Sequence, residues 1–147
     1  MQTDAGANLA IQGGSIYLFI SVKMMRMKKI ILVDDDQSIL EIIKLLFERA
    51  GYRVIIFNNS EPLLNNKFEE PDIFIIDKQL SGVDGIDVCR YLKNRQSKSA
   101  TPVIMFSANS NIGRYATEAG ADGFIEKPFR TKDLLKLVEQ HIRAKAA

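Results

Sequence analysis

The sequence predicts an α/β fold in which five β-strands alternate with five α-helices, a (βα)5 arrangement. Short β-branched runs recur along the chain without polar interruption, as in Ile30, Ile31, Leu32 and Val33. Stretches with apolar residues at helical spacing fill the gaps between them. The runs are continuous, not alternating, so both faces of the sheet should be covered. A parallel sheet with right-handed crossovers follows, with helices on both faces.

Residues 30–33 read as the first strand, ended by Asp34, Asp35 and Asp36. Residues 38–50 follow as a helix with Ile39, Ile42, Ile43, Leu46 and Phe47 on one stripe. Asp36 can cap it, or Ser38 and Glu41 can form a capping box, and Gly51 stops it. Residues 52–57 are the second strand. Residues 59–68 read as a weak helix with Leu63, Leu64 and Phe68 inward. The third strand, 73–76, ends on Asp77. A helix over 84–94 puts Ile86, Cys89 and Leu92 on one face. The fourth strand, 102–106, starts on Pro102, where a missing N–H is tolerated. A short helix over 111–119 ends before Gly120. Residues 123–125 are the fifth strand. A last helix over 131–144 buries Leu134, Leu135, Leu137, Val138 and Ile142.

Two domains of organisation are expected: an extension over 1–27 and a folded unit over 28–147. Residues 1–15 are small and polar with three glycines, and 16–22 could form a short strand. The extension reads as poorly ordered, since termini order only when something ties them down. The 147 residues carry a formal net charge of +2, with 46% hydrophobic and 26% charged residues, the composition of a soluble globular chain. Lys and Arg are spread out instead of forming a basic stripe, so no direct nucleic-acid contact is expected. The single cysteine, Cys89, excludes a disulfide framework and fits a reducing cytoplasm; it reads as a small buried hydrophobe. No run is long and apolar enough for a membrane span. Asp4 is the only charged residue before Lys23, so the basic flank of a signal peptide is missing. His141, the only histidine, is expected on the surface of the last helix.

In open parallel sheets, binding sites lie beyond the carboxyl ends of the strands. In a three-layer flavodoxin-like sheet of order 2-1-3-4-5, strands 1, 3, 4 and 5 end side by side. Those ends carry Asp34, Asp35 and Asp36, then Asp77, then Ser107, then Lys127. Carboxylates about 4 Å apart repel by about 4 kcal/mol at an effective dielectric of 20, so the group must protonate, spread or recruit a cation. Hard carboxylate oxygens suit Mg²⁺, which keeps waters and takes further ligands from a phosphate. Lys127 offers a compact positive charge and Ser107 a hydroxyl. Asp77, in the middle strand, is placed to act as a nucleophile toward phosphorus.

The chain resembles the receiver domain of two-component response regulators. The resemblance rests on Ile31-Leu32-Val33-Asp34-Asp35-Asp36, Ile75-Ile76-Asp77, Leu80-Ser81-Gly82-Val83-Asp84-Gly85, Met105-Phe106-Ser107-Ala108, Ala119-Gly120-Ala121-Asp122 and Lys127-Pro128-Phe129. It covers roughly residues 28–145. It implies Asp77 as phosphoacceptor and metal ligand, Asp34 and Asp35 as the acidic pair for Mg²⁺ or Mn²⁺, and the Gln79 backbone carbonyl as a further ligand. It implies Lys127 on a phosphoryl oxygen, Ser107 reorienting toward the phosphoryl group, Phe124 as the rotating aromatic, and a cis bond before Pro128. The implied partners are a sensor histidine kinase or phosphotransfer protein, a downstream protein of unknown identity, and a second copy in a phosphorylation-dependent homodimer. On this reading the chain is a cytoplasmic signalling switch and not an enzyme beyond its own phosphorylation and dephosphorylation. It would act alone through protein contacts or within a longer protein.

The sequence departs from the family pattern in four places. Ser81 stands where proline is frequent. Phe124 lacks the hydroxyl of the common tyrosine. The stretch from Ser107 to Gly120 is short. Gly113 interrupts its helix at up to about 1 kcal/mol relative to alanine. Two other readings stand beside the receiver. Asp34 and Asp36 also resemble the nucleophile and acid of haloacid-dehalogenase-like phosphatases. A pseudo-receiver would bind partners without taking phosphate.

Overall fold

The computed structural model describes residues 16–20, 27–95 and 100–146. The main sheet contains β1 (Lys29–Val33), β2 (Arg53–Phe57), β3 (Ile73–Asp77), β6 (Val103–Ser107) and β7 (Gly123–Glu126). All its pairings are parallel and the order is β2-β1-β3-β6-β7. A small antiparallel hairpin, β4 (Gln79–Leu80) and β5 (Val83–Asp84), lies outside that sheet. Counting only the sheet strands, the expected order 2-1-3-4-5 is the one found.

Helices α1 (Gln37–Arg49), α2 (Glu61–Leu64), α3 (Gly85–Lys93), α4 (Ile112–Glu118) and α5 (Thr131–Ala146) complete three layers. Strand residues alternate between the two faces. Ile31, Val33, Phe74, Ile76, Val103 and Met105 pack with Leu63 of α2, Cys89 and Leu92 of α3 and Ala116 of α4. Ile30, Leu32, Ile73, Ile75, Ile104 and Phe106 pack with Leu40, Ile43 and Phe47 of α1 and Leu134 and Val138 of α5. The central strands β3 and β6 are buried along their whole length, as unbroken apolar runs require. The edge strand β7 is different: Phe124 and Glu126 are exposed, because it has a neighbouring strand on one side only.

Local chemistry accounts for the element ends. Asp36 caps α1 by accepting from the amides of Ser38 and Ile39, so the capping-box alternative is not used. Gly51, at φ +97°, stops the helix. Asp84 caps α3 by accepting from the Ile86 amide.

Four expectations change. The helix expected over 59–68 shrinks to the four residues of α2. Asn66 turns the chain out of it at φ 55°, a left-handed conformation that asparagine tolerates. Phe68 still points inward, meeting Phe74 edge to face at 5.6 Å. On α1 the buried stripe runs through Leu40, while Ile42 is 62% exposed. Residues 16–20 are helical, not the strand expected there. Such a segment closes its hydrogen bonds within itself, whereas a strand needs a neighbour. The rest of the expected extension, residues 1–15 and 21–26, lies outside the described residues. His141 is half-buried, and its ring nitrogens lie 2.9 Å from the carbonyl oxygens of Leu137 and Asp122. It therefore ties α5 to the turn before β7.

Gly85 shows how closely the backbone packs behind the strand ends. A Cβ there would run into the Asp77 carbonyl. Gly85→Ala should therefore destabilise the protein by at least about 2 kcal/mol in urea denaturation, because backbone must move to admit it.

Candidate functional site

Register brings the strand ends together. Val33 pairs with Ile76, so Asp34 leaves the sheet level with Asp77. Asp77 pairs with Phe106, one residue before Ser107, and Ser107 pairs with Glu126, one before Lys127. Four strands thus deliver their next polar residues to one edge of the sheet.

Among the described residues, Asp34, Asp35 and Asp77 each offer one carboxylate oxygen, and these three oxygens lie within 4.8 Å of one another. Asp34 and Asp77 are buried and Asp35 is exposed. The Lys127 amine donates to Asp34 Oδ2 at 3.3 Å and lies 3.6 Å from Asp77 Oδ2. It also sits over the Phe106 ring, 4.4 Å from its centroid. The peptide bond from Lys127 to Pro128 is cis, as the resemblance implies.

These neighbours set the electrostatics. Burial pushes the Asp77 carboxyl up to about 6, helped by the Asp34 charge and opposed by Lys127 and the Gln79 amide. Burial also raises Asp34, against the Asp36 amide and Lys127. The acidic residues therefore crowd until a proton, an amine or a cation neutralises them. Their donors are hard carboxylate oxygens, exposed on the Asp35 side, and this set fits a divalent cation that retains water ligands.

The remaining expected residues differ in how far they reach the group. Ser107 is buried, but its Oγ accepts from the Asn109 amide at 3.0 Å. Gln79 begins the hairpin directly after Lys78, and its amide is one of the groups that hold the Asp77 carboxyl down against burial. Phe124 is 48% exposed and rests on α4 instead of turning inward. Gly113 makes room for it: a Cβ there would come within 2.9 Å of the ring. The glycine that looks like a helix defect in the sequence is a seat for this aromatic. Cys89 is buried with its thiol pushed up to about 12, as suits a packing residue.

Sequence reasoning gave Ser81 no contact in the site. Its hydroxyl donates to Asp35 Oδ2 at 3.0 Å across 46 residues of chain. No local pattern signals that bond. The phosphatase alternative also loses support. Its acid, Asp36, is committed to capping α1, and both Asp34 oxygens are engaged, by the Asp36 amide and by Lys127.

The family model described as the response regulator receiver domain matches residues 30–139. The chain belongs to this family. Its receiver sequence is 35% identical over 122 residues to the alkaline phosphatase synthesis transcriptional regulatory protein PhoP of Bacillus subtilis, covering 79% of this chain and 49% of that one. It is 32% identical to the DNA-binding response regulator MtrA of Mycolicibacterium smegmatis, covering 79% and 51%. The receiver thus spans about half the length of these curated relatives. The BeF3-activated receiver domain of DrrB, a Thermotoga maritima protein, superposes with a TM-score of 0.70 at 31% identity, covering 80% of this chain and 98% of that domain.

The raised Asp77 carboxyl predicts a pH dependence of the metal-free receiver. Its folded value of about 6 lies above the ordinary 3.8, so the folded state holds the proton more tightly. Stability from this group is present in full below about pH 4 and is lost as pH rises through 6, by roughly 2–3 kcal/mol. In EDTA, Asp77→Asn should flatten this fall and be more stable than the parent at pH 8. Parallel denaturation profiles for the two proteins would contradict the account.

Proposed function

We propose that this receiver is a phosphoacceptor switch, with Asp77 taking a phosphoryl group from a sensor histidine kinase or phosphotransfer protein. The observation that carries the reading is the placement of Asp77 between two acids and the Lys127 amine, 3.6 Å away. In the transfer, an Asp77 carboxylate oxygen bonds to phosphorus while the phosphorus–nitrogen bond of the donor breaks. The electron pair leaves on the imidazole nitrogen, and an aspartyl-phosphate results. Asp34, Asp35, Asp77 and the Gln79 carbonyl would hold Mg²⁺ or Mn²⁺. When bound, the cation supplies charge neutralisation for the phosphoryl oxygens.

Lys127 contributes a second positive charge, moving from its carboxylate partners toward a phosphoryl oxygen. Ser107 would exchange the Asn109 amide for the phosphoryl group, and Phe124 would leave its seat on Gly113 as the hydroxyl moves. Such a shift is only as large as the difference in bonds between the two states. The output is a change in protein contacts, to a downstream protein or a second copy. The named activities of PhoP and MtrA, transcriptional regulation and DNA binding, belong to proteins about twice the matched length.

Incubation with Mg²⁺ and a small acyl-phosphate donor, followed by peptide mapping, tests the reading. Asp77 should carry the label, and Asp77→Asn should abolish it. A label on Asp34 that survives Asp77→Asn would favour the phosphatase chemistry. Failure of the parent to bind beryllofluoride would favour a pseudo-receiver. Lys127→Ala should still be labelled, but without the change in Phe124 environment that accompanies labelling of the parent.

A further inference from the structure

Each of the three clustered acids needs something to aim it, and the three are held differently. Asp34 accepts from the Asp36 amide at 2.9 Å and from Lys127. Asp77 has the Gln79 amide and the nearby Lys127 amine. Asp35 is exposed, and among the described residues its carboxylate has a single hydrogen bond, from the Ser81 hydroxyl. That bond takes Oδ2 and leaves Oδ1 free.

We infer that Ser81 is a positioning residue for Asp35 and sets how tightly the acidic site takes a divalent cation. The inference rests on the receiver reading of that site. A partner that hydrogen-bonds a metal-binding carboxylate fixes its rotamer before the metal arrives, so less freedom is lost on binding. At 3.0 Å the bond is long for a hydroxyl on a carboxylate, so it aims Asp35 more than it neutralises it. It spans the gap between the loop after β1 and the hairpin after β3, and so joins two of the strand ends that form the cluster.

The hairpin shows what the serine replaces. Leu80 pairs with Val83, leaving Ser81 and Gly82 as the two turn residues. Gly82 has φ +79° and Ser81 does not have positive φ, the pattern of a turn with its left-handed residue second. Proline suits the first position of such a turn, and Leu80 before it is already extended, as a residue preceding proline must be. Proline would stiffen the loop but could not reach Asp35. Serine gives up that stiffness and ties the carboxylate directly.

This arrangement separates the role of the hydroxyl from the role of the turn. Ser81→Ala removes the hydroxyl, Ser81→Pro removes it while stiffening the turn, and Ser81→Thr keeps it. Binding of Mn²⁺ is followed by the loss of the free-ion electron paramagnetic resonance signal. Both Ser81→Ala and Ser81→Pro should weaken Mn²⁺ binding by about tenfold, and Ser81→Thr should restore it. In labelling with a small acyl-phosphate donor, the two weakened variants should need more metal for half-maximal rate but reach the parent rate at saturation. Parent-like Mn²⁺ affinity in Ser81→Ala and Ser81→Pro would overturn the inference, as would tighter binding or a lower maximal rate without a shift in metal requirement. Asp35→Asn separates the two levels. If the parent takes up Mn²⁺ no better than Asp35→Asn does, the cation-site reading itself fails, and the role of Ser81 with it.

Discussion

The site depends on one electrostatic constraint. Two buried carboxylates, Asp34 and Asp77, stand level at the ends of neighbouring strands, and their charges repel. A buried charge without a partner costs several kcal/mol, so the pair persists only because something neutralises it. In this structure the Lys127 amine does so from the end of β7, two strands from β3 and three from β1, touching Asp34 and approaching Asp77. The same crowding makes the group receptive. In the proposed switch, a bound cation or an incoming phosphoryl group would change which partner each charge has, with Lys127 as the group that changes sides.

The backbone is built tightly around that constraint. Gly85 lies against the Asp77 carbonyl and its own amide donates to the Lys78 carbonyl at 2.7 Å, so the start of α3 is held against the end of β3. On the far side, Lys127 N–H donates to the Ser107 carbonyl at 2.8 Å, which holds the ends of β6 and β7 together. Asp122 closes the opposite end of the same strand pair, accepting from the Val103 amide and from Lys93. Asp77 ends β3 and Asp34 directly follows β1, while in the proposed switch the Ser107 hydroxyl and the Phe124 ring are the groups that would exchange partners. That division suits a switch, whose fixed parts must hold charge close and whose moving parts must have two comparable resting places.

Much of this was legible because the central strands are buried on both faces. Burial leaves no room for polar residues, so β1, β3 and β6 appear in the sequence as unbroken apolar runs with acids or a serine just beyond. Helix α2 was harder. Leu63, Leu64 and Phe68 fit a longer helix as well as a short one, and only the left-handed turn at Asn66 distinguishes them. Ile42 fits the apolar stripe of α1 by spacing, yet it lies outside the width that the sheet can cover. His141 looked like an ordinary surface residue because its second partner, the Asp122 carbonyl, is 19 residues away.

By itself the amino-acid sequence determined the alternation of strands and helices, the family pattern, and the identity of the acids at the strand ends. These follow from periodicity and from local order along the chain, which the residues carry wherever they are placed. Tertiary structure alone decided that Ser81 would hold Asp35, that Gly113 would seat Phe124, and that His141 would reach the Asp122 carbonyl. Each of these is a choice among partners within a few ångströms. Distances between residues far apart in the chain exist only once the sheet has set its register.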